Sequence, residues 1–170
     1  MDQFTSHSAQ KTKEFAAKIA KESQKPLVIC LYGDLGSGKT VFSKGFALGL
    51  GIPEKQIKSP TYTFVRSYKI DGSARKAPKT LFHFDFYRIS EADDLMAQDL
   101  EEIFEKKNTH IIIEWPERVQ KLLPQERLDI YFEYKDENTR LLKLKNHYKK
   151  TGPKPNLPKL LRNIGFLSTS

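Results

Sequence analysis

The residues best suited to chemistry are Gly33-Asp34-Leu35-Gly36-Ser37-Gly38-Lys39-Thr40, a glycine followed after four residues by Gly-Lys-Thr. They lie directly after the apolar run Leu27 to Tyr32 and open a helical stretch, the setting in which this spacing binds a nucleoside triphosphate. Glycines at 33, 36 and 38 lack a Cβ, so the loop can wrap with successive N–H groups turned inward on phosphate oxygens. The helix starting near Lys39 adds unpaired amide donors and about half a positive elementary charge at the same point. Lys39 is expected to reach the β- and γ-phosphates and the Thr40 hydroxyl to bind Mg2+. Asp34, Leu35 and Ser37 contribute mainly backbone. The alternative is a glycine turn without a ligand.

Mg2+ takes oxygen ligands in an octahedral array and keeps several waters, so a carboxylate is expected near Thr40 at the end of a buried strand. Ile111-Ile112-Ile113-Glu114 and Leu81-Phe82-His83-Phe84-Asp85 both end apolar runs in an acid. Such an acid is costly to bury unless it faces a cation or water. Glu114 is assigned to the metal, directly or through water, or to orienting the attacking water. Asp85 is assigned a water-mediated or supporting role. Which of them is the inner-sphere ligand stays open, and either acid has the alternative of an ordinary strand end in solvent.

The elements that must position these groups follow from periodicity. Phe15, Ala16, Ile19 and Ala20 recur at helical spacing, predicting an amphipathic helix over Ser8 to Lys21 with Ser8 as cap. Leu27 to Tyr32 predicts a strand buried on both faces. Lys39 to Leu50 predicts a helix closing at Gly49 and Gly51. Ser59-Pro60 favours extended backbone, so Ile57 to Thr61 is expected as a loop entering a strand over Tyr62 to Ile70. After a reversal near Asp71-Gly72 and a connection over Ser73 to Lys79, a strand is expected over Thr80 to Tyr87. A helix over Ser90 to Lys106, a buried strand over His110 to Trp115, and a short helix over Glu117 to Leu123 follow. Leu128 to Tyr134 and Thr139 to Lys145 read as a closing hairpin.

At 170 residues the chain suits one α/β unit. The expected fold is a single domain of the P-loop NTPase type over residues 1–148, with a mostly parallel central sheet, antiparallel hairpin strands and helices on both faces. No apolar run approaches the length of a membrane span. The start of the chain does not read as a secretory signal, so a cytoplasmic location is expected. The single cysteine, Cys30, sits in an apolar run and suits a small buried hydrophobe better than a reactive thiol.

The net charge of +8 is concentrated at one end: from Leu141 onward seven Lys and Arg occur with no Asp or Glu. Residues 149–170, with Pro153, Pro155 and Pro158, are expected to form a basic tail, mobile or ordered by a partner. RNA is one candidate for that contact, and a solvated tail is the alternative.

Several separated segments give the chain a family resemblance: the loop with its flanks from Leu31 to Thr40, Ser59-Pro60-Thr61-Tyr62, His83-Phe84-Asp85-Phe86-Tyr87-Arg88, Ile113-Glu114-Trp115-Pro116-Glu117 and Leu123-Pro124. In order and over most of residues 8–145, these resemble the bacterial TsaE family, formerly YjeE. The His-x-Asp-x-Tyr-Arg and Glu-Trp-Pro-Glu segments make the resemblance specific. It implies a P-loop ATPase, binding ATP and Mg2+, that works with TsaD and TsaB in making N6-threonylcarbamoyladenosine (t6A) in tRNA. The subunit is not the transferase; its hydrolysis is thought to reset the partner complex, with little activity alone. Carried over by position, Lys39 and Thr40 are the phosphate and magnesium residues and Glu114 the metal-linked acid. Ser59, Pro60 and Thr61 form a nucleotide-sensing loop, and Trp115 lies beside the nucleotide or at the partner face, with core packing as its alternative. His83, Tyr87 and Arg88 are left between lining the site and a solvated face. The tail and the Ser73 to Lys79 loop fall outside the matching segments.

A guanine-specific switch would need an Asn-Lys-x-Asp segment, which does not occur. A small-molecule kinase would add an arginine-bearing lid, and Arg66, Arg75 and Arg88 are scattered. A non-hydrolytic assembly factor that uses ATP only to favour one conformation is the other competing reading.

Overall fold

The computed structural model describes residues 1–23, 25–71, 79–90 and 94–149. Seven strands, β1 (Asp2–Ser6), β2 (Val28–Tyr32), β3 (Val65–Lys69), β4 (Thr80–Asp85), β5 (Thr109–Glu114), β6 (Leu128–Tyr134) and β7 (Arg140–Asn146), form one sheet in the order β1-β7-β6-β2-β5-β4-β3. Parallel pairing joins β6, β2, β5 and β4, while β1 on β7, β7 on β6 and β3 on β4 are antiparallel. The parallel character is therefore a property of the four central strands. β2 and the Ile111–Ile113 centre of β5 are apolar runs covered on both faces, as buried parallel strands must be.

Helices α1 (Ala9–Glu22) and α2 (Lys39–Gly49) cover one face. Phe15, Ile19, Phe42 and Phe46 pack there against Ile29, Leu31, Ile112 and Ile130. The other face is covered by α3 (Asp94–Glu105) and a 3-10 segment, Pro116–Leu122. Leu100 and Val119 pack on Cys30, Ile111, Ile113 and Phe84. Cys30 is fully buried, and burial together with nearby Asp129 pushes its thiol pKa up, so it serves as core.

Local signals explain most boundaries. The Ser8 hydroxyl accepts the Lys11 amide at 3.1 Å and so caps α1, a contact worth about 1 kcal/mol. Helix α2 ends before Gly51, whose φ of +84° supplies the left-handed turn. Gly49, expected at that same turn, has a different reason: it lies within α2, where a Cβ would overlap the backbone of Ala17, and Gly45 likewise abuts the backbone of Lys13. The β6–β7 hairpin turns on Asp136, whose Oδ1 accepts the amides of Asn138 at 3.0 Å and Thr139 at 2.8 Å.

One boundary moves, one helix takes a tighter form than expected, and one strand is new. β3 begins at Val65 rather than Tyr62, because Thr63 N bonds Pro60 O at 2.8 Å and Phe64 takes φ +59°, closing a turn before the strand. The segment after β5 is a 3-10 helix, entered through Trp115 at φ +59°. The edge strand β1 was not anticipated. The connection over Ser73 to Lys79 lies outside the described residues apart from Lys79, and the tail of 149–170 outside them apart from Lys149. Among the described residues, no helix is long and apolar enough to cross a membrane.

Candidate functional site

The loop between β2 and α2 leaves the sheet at its carboxyl edge, beside the ends of β5 and β4. Strand order changes direction at β2: the chain goes first toward β5, β4 and β3, then returns to add β6 and β7 on the other side. Such a switch point opens a crevice outside the strand ends. A cavity of about 270 Å³ lies there, lined by Leu35 to Val41 and by Thr61, Asp85, Tyr87, Glu114 and Trp115.

The loop has the backbone that an anion cradle requires. Gly36 and Gly38 take φ of +76° and +109°, and a Cβ on Gly33 would approach Phe132 O and Ser37 Oγ to 2.9 Å. Ser37 Oγ, buried, has no hydrogen-bond partner among the described residues, which fits a loop built to receive an oxygen-rich ligand. Lys39 donates to Gly33 O at 2.6 Å and Asp34 O at 2.9 Å, with its ammonium 4.0 Å from the centre of the Trp115 ring. Burial pulls its pKa down, while Glu114, Glu117, Asp85 and Asp34 pull it up; the net direction is down.

Glu114 ends β5 at 1% exposure. Its Oε2 accepts Thr40 Oγ1 at 2.8 Å, and its Oε1 accepts Ser43 Oγ at 2.8 Å and His83 Nε2 at 2.7 Å. Burial alone would raise its pKa, but His83, Ser43 and Thr40 outweigh burial and hold the carboxyl below its ordinary value. Asp85, opposite Glu114 in the β4–β5 register, accepts Thr61 Oγ1 at 2.6 Å and the Tyr87 amide at 3.0 Å. Ser59 Oγ in turn lies 2.7 Å from Thr61 Oγ1, tying the 59–61 loop to the strand end.

Lys39, Thr40, Thr61, Asp85, Glu114 and Trp115 thus line one crevice with Leu35 to Gly38 forming its base, while Gly33 and Asp34 stand outside its wall and meet it through their carbonyls on Lys39. Trp115 is half-buried, packing beside the core and against Tyr87 at 5.0 Å between ring centres, so lining and packing coexist. Tyr87 lines the cavity, whereas Arg88 stacks outside on exposed Tyr62 at 4.2 Å. His83, left open by the sequence, is buried against Glu114. Ser43 was missed. Its signal was its place three residues beyond Thr40, on the same helix face.

The oxygen set fits a hard cation: a hydroxyl that spends its proton on Glu114 keeps lone pairs for a metal. Among the described residues, no group of three or more His, Cys, Asp or Glu is arranged to hold a metal. Mg2+ does not need one, because it keeps waters and takes phosphate oxygens.

Comparison with known proteins identifies the family. A tRNA threonylcarbamoyladenosine biosynthesis protein TsaE from Bacillus subtilis is 40% identical over 122 residues, covering 71% of this chain and 70% of the relative. The protein of that name from Haemophilus influenzae is 34% identical over 126 residues, covering 74% of this chain and 75% of the relative. The crystal structure of Bacillus subtilis YdiB superposes with a TM-score of 0.69 at 28% identity, covering 96% of this chain and 93% of that one. A family model described as threonylcarbamoyl adenosine biosynthesis protein TsaE matches residues 6–142, and the chain belongs to that family.

Proposed function

We propose that this protein is a P-loop ATPase that binds Mg-ATP in the crevice between β2, β5 and β4 and acts with TsaD and TsaB in t6A modification of tRNA. One observation carries the reading: Lys39, Thr40 and Glu114, from two different elements, meet at one cavity whose base is a loop of positive-φ glycines at a helix start. Backbone amides of Gly33 to Thr40 would hold the phosphates, and the Lys39 ammonium would leave the carbonyls of Gly33 and Asp34 for them. Thr40 and Glu114 would hold Mg2+, which when bound neutralises developing phosphate charge. Glu114 and Asp85 would orient water and the coordination shell, the water attacking the γ-phosphorus as the bond to ADP breaks. Thr61 would report the nucleotide state through Asp85, and Trp115 would cover Lys39. The relatives' printed names support a place in threonylcarbamoyladenosine biosynthesis. The basic tail beyond 148 is the part proposed to meet tRNA.

Calorimetric titration with Mg-ATP tests binding. Lys39→Ala is expected to weaken affinity by about 10- to 100-fold, the worth of its charge-assisted contacts. Saturable binding that Lys39→Ala leaves intact overturns the site. Phosphate release with and without the TsaD–TsaB pair tests hydrolysis. Binding without release under either condition leaves the non-hydrolytic assembly factor in place of an ATPase.

A further inference from the structure

Glu114 is gripped from two sides by groups that play different parts. Oε2 meets Thr40, which lines the cavity; Oε1 meets Ser43 and His83, neither of which lines it. His83 is 2% exposed and comes from the middle of β4. An ionised carboxylate only accepts, so Nε2 must carry the hydrogen in this contact. The pair solves a local problem. Asp85 and Glu114 are direct cross-strand neighbours in the parallel β4–β5 register, and like charges so placed repel. His83 shares a strand face with Asp85, two residues away, and draws Glu114 Oε1 back toward the sheet. With Oε1 fixed by donors from β4 and α2, the carboxylate cannot rotate, and Oε2 stays directed at Thr40.

We infer that His83 is a positioning residue, which with Ser43 orients the Glu114 carboxylate so that Oε2 and the Thr40 hydroxyl present together toward the cavity. This rests on the Mg-ATP reading, because the orientation matters for a cation beside Thr40. His83 touches Glu114 and has no place at the cavity wall, so its effect passes entirely through that carboxylate.

The experiment measures ATP affinity by calorimetry in Mg2+ and in EDTA, for the parental chain, His83→Leu, His83→Gln, Ser43→Ala and Glu114→Gln. His83→Leu should lose about tenfold of the Mg2+-dependent gain in affinity, as removal of a donor behind a metal ligand does. EDTA affinity should stay within about twofold, because phosphate contacts are distant from the change. His83→Gln, which keeps an N–H near the Nε2 position, should recover most of the gain, and Ser43→Ala should lose about threefold. In the Glu114→Gln background, His83→Leu should add nothing, since the two act as one unit. A folded His83→Leu with the parental Mg2+ gain overturns the inference, as does equal loss in Mg2+ and EDTA or additivity with Glu114→Gln. If His83→Leu does not fold, His83→Gln and Ser43→Ala decide: a loss for Ser43→Ala with recovery in His83→Gln supports it, and any other result sinks it. A parental chain with no Mg2+-dependent binding removes the ATPase reading itself, a result distinct from each of these.

Discussion

The two ends of the central sheet carry hollows of different kinds. At the carboxyl ends of β2, β5 and β4 the cavity is about 270 Å³; at the amino ends of β2 and β5 a groove of about 840 Å³ is lined by Lys25, Val28, Phe104, Lys107, Ile111 and Tyr148, among others. The larger space holds the weaker case for chemistry. Two of its polar groups are spent on structure: the Tyr148 hydroxyl accepts the Val28 amide at 2.7 Å, and Lys106 pairs with Glu102 at 2.9 Å. At the small cavity, hydroxyls, two carboxylates, an ammonium and a glycine loop converge from four elements. Volume alone does not mark a site; convergence of polar groups at the strand ends does.

The sharpest way to break this contrast is Glu114→Ala. With TsaD and TsaB present, phosphate release should fall about 100-fold or more, the usual scale for a group that orients water or metal. Mg2+-free ATP affinity should stay within a few fold. Parental turnover in this variant removes Glu114 from the chemistry.

Next in size is a pH effect carried by the buried His110. His83 has a carboxylate partner, whereas His110 accepts the Leu27 amide on Nδ1 at 3.2 Å, and its Nε2 has no hydrogen-bond partner among the described residues. Its ring stands edge-on to Phe46 at 5.3 Å, and burial pushes its pKa down to about 4 from 6.5. Between those values the unfolded chain binds a proton that the folded chain refuses, so stability falls as pH drops through that window and is fully present above it. The contribution is about 3 kcal/mol. Denaturant melts at pH 7 and pH 4 should show the parental chain losing more than His110→Gln by about that amount; equal losses refute it.

The smallest expected effect is none. Lys25→Ala combined with Lys107→Ala, both at the amino-end groove, should leave ATP affinity and turnover within about twofold, since distant sites act independently. A large fall would mean that the two ends are coupled.

The sequence made the loop, its strand and its helix legible because glycine spacing and an apolar run are local signals. Glu114 and Asp85 were legible as acids ending apolar strands. Their mutual arrangement was not, because register between β4 and β5 decides it. Ser43 escaped, and His83 was named without a role, for the same reason: each is an ordinary helix or strand residue until α2, β4 and β5 are brought together. β1 escaped because Asp2–Ser6 contains one large apolar residue, Phe4, whose value comes from stacking on Phe15 at 4.1 Å. Gly49 misled in the opposite direction, since a helix-ending residue and a packing residue look alike in one dimension.

Gly45 and Gly49 lie one helical turn apart on α2, where each brings its own backbone against that of α1. The two rods are therefore locked like meshed gears, and α2, which bears Lys39, Thr40 and Ser43, has no slack in which to slide. If the crevice turns over ATP as proposed, the response to losing a phosphate falls to its opposite wall. There, a chain of hydroxyls ties the 59–61 loop to Asp85.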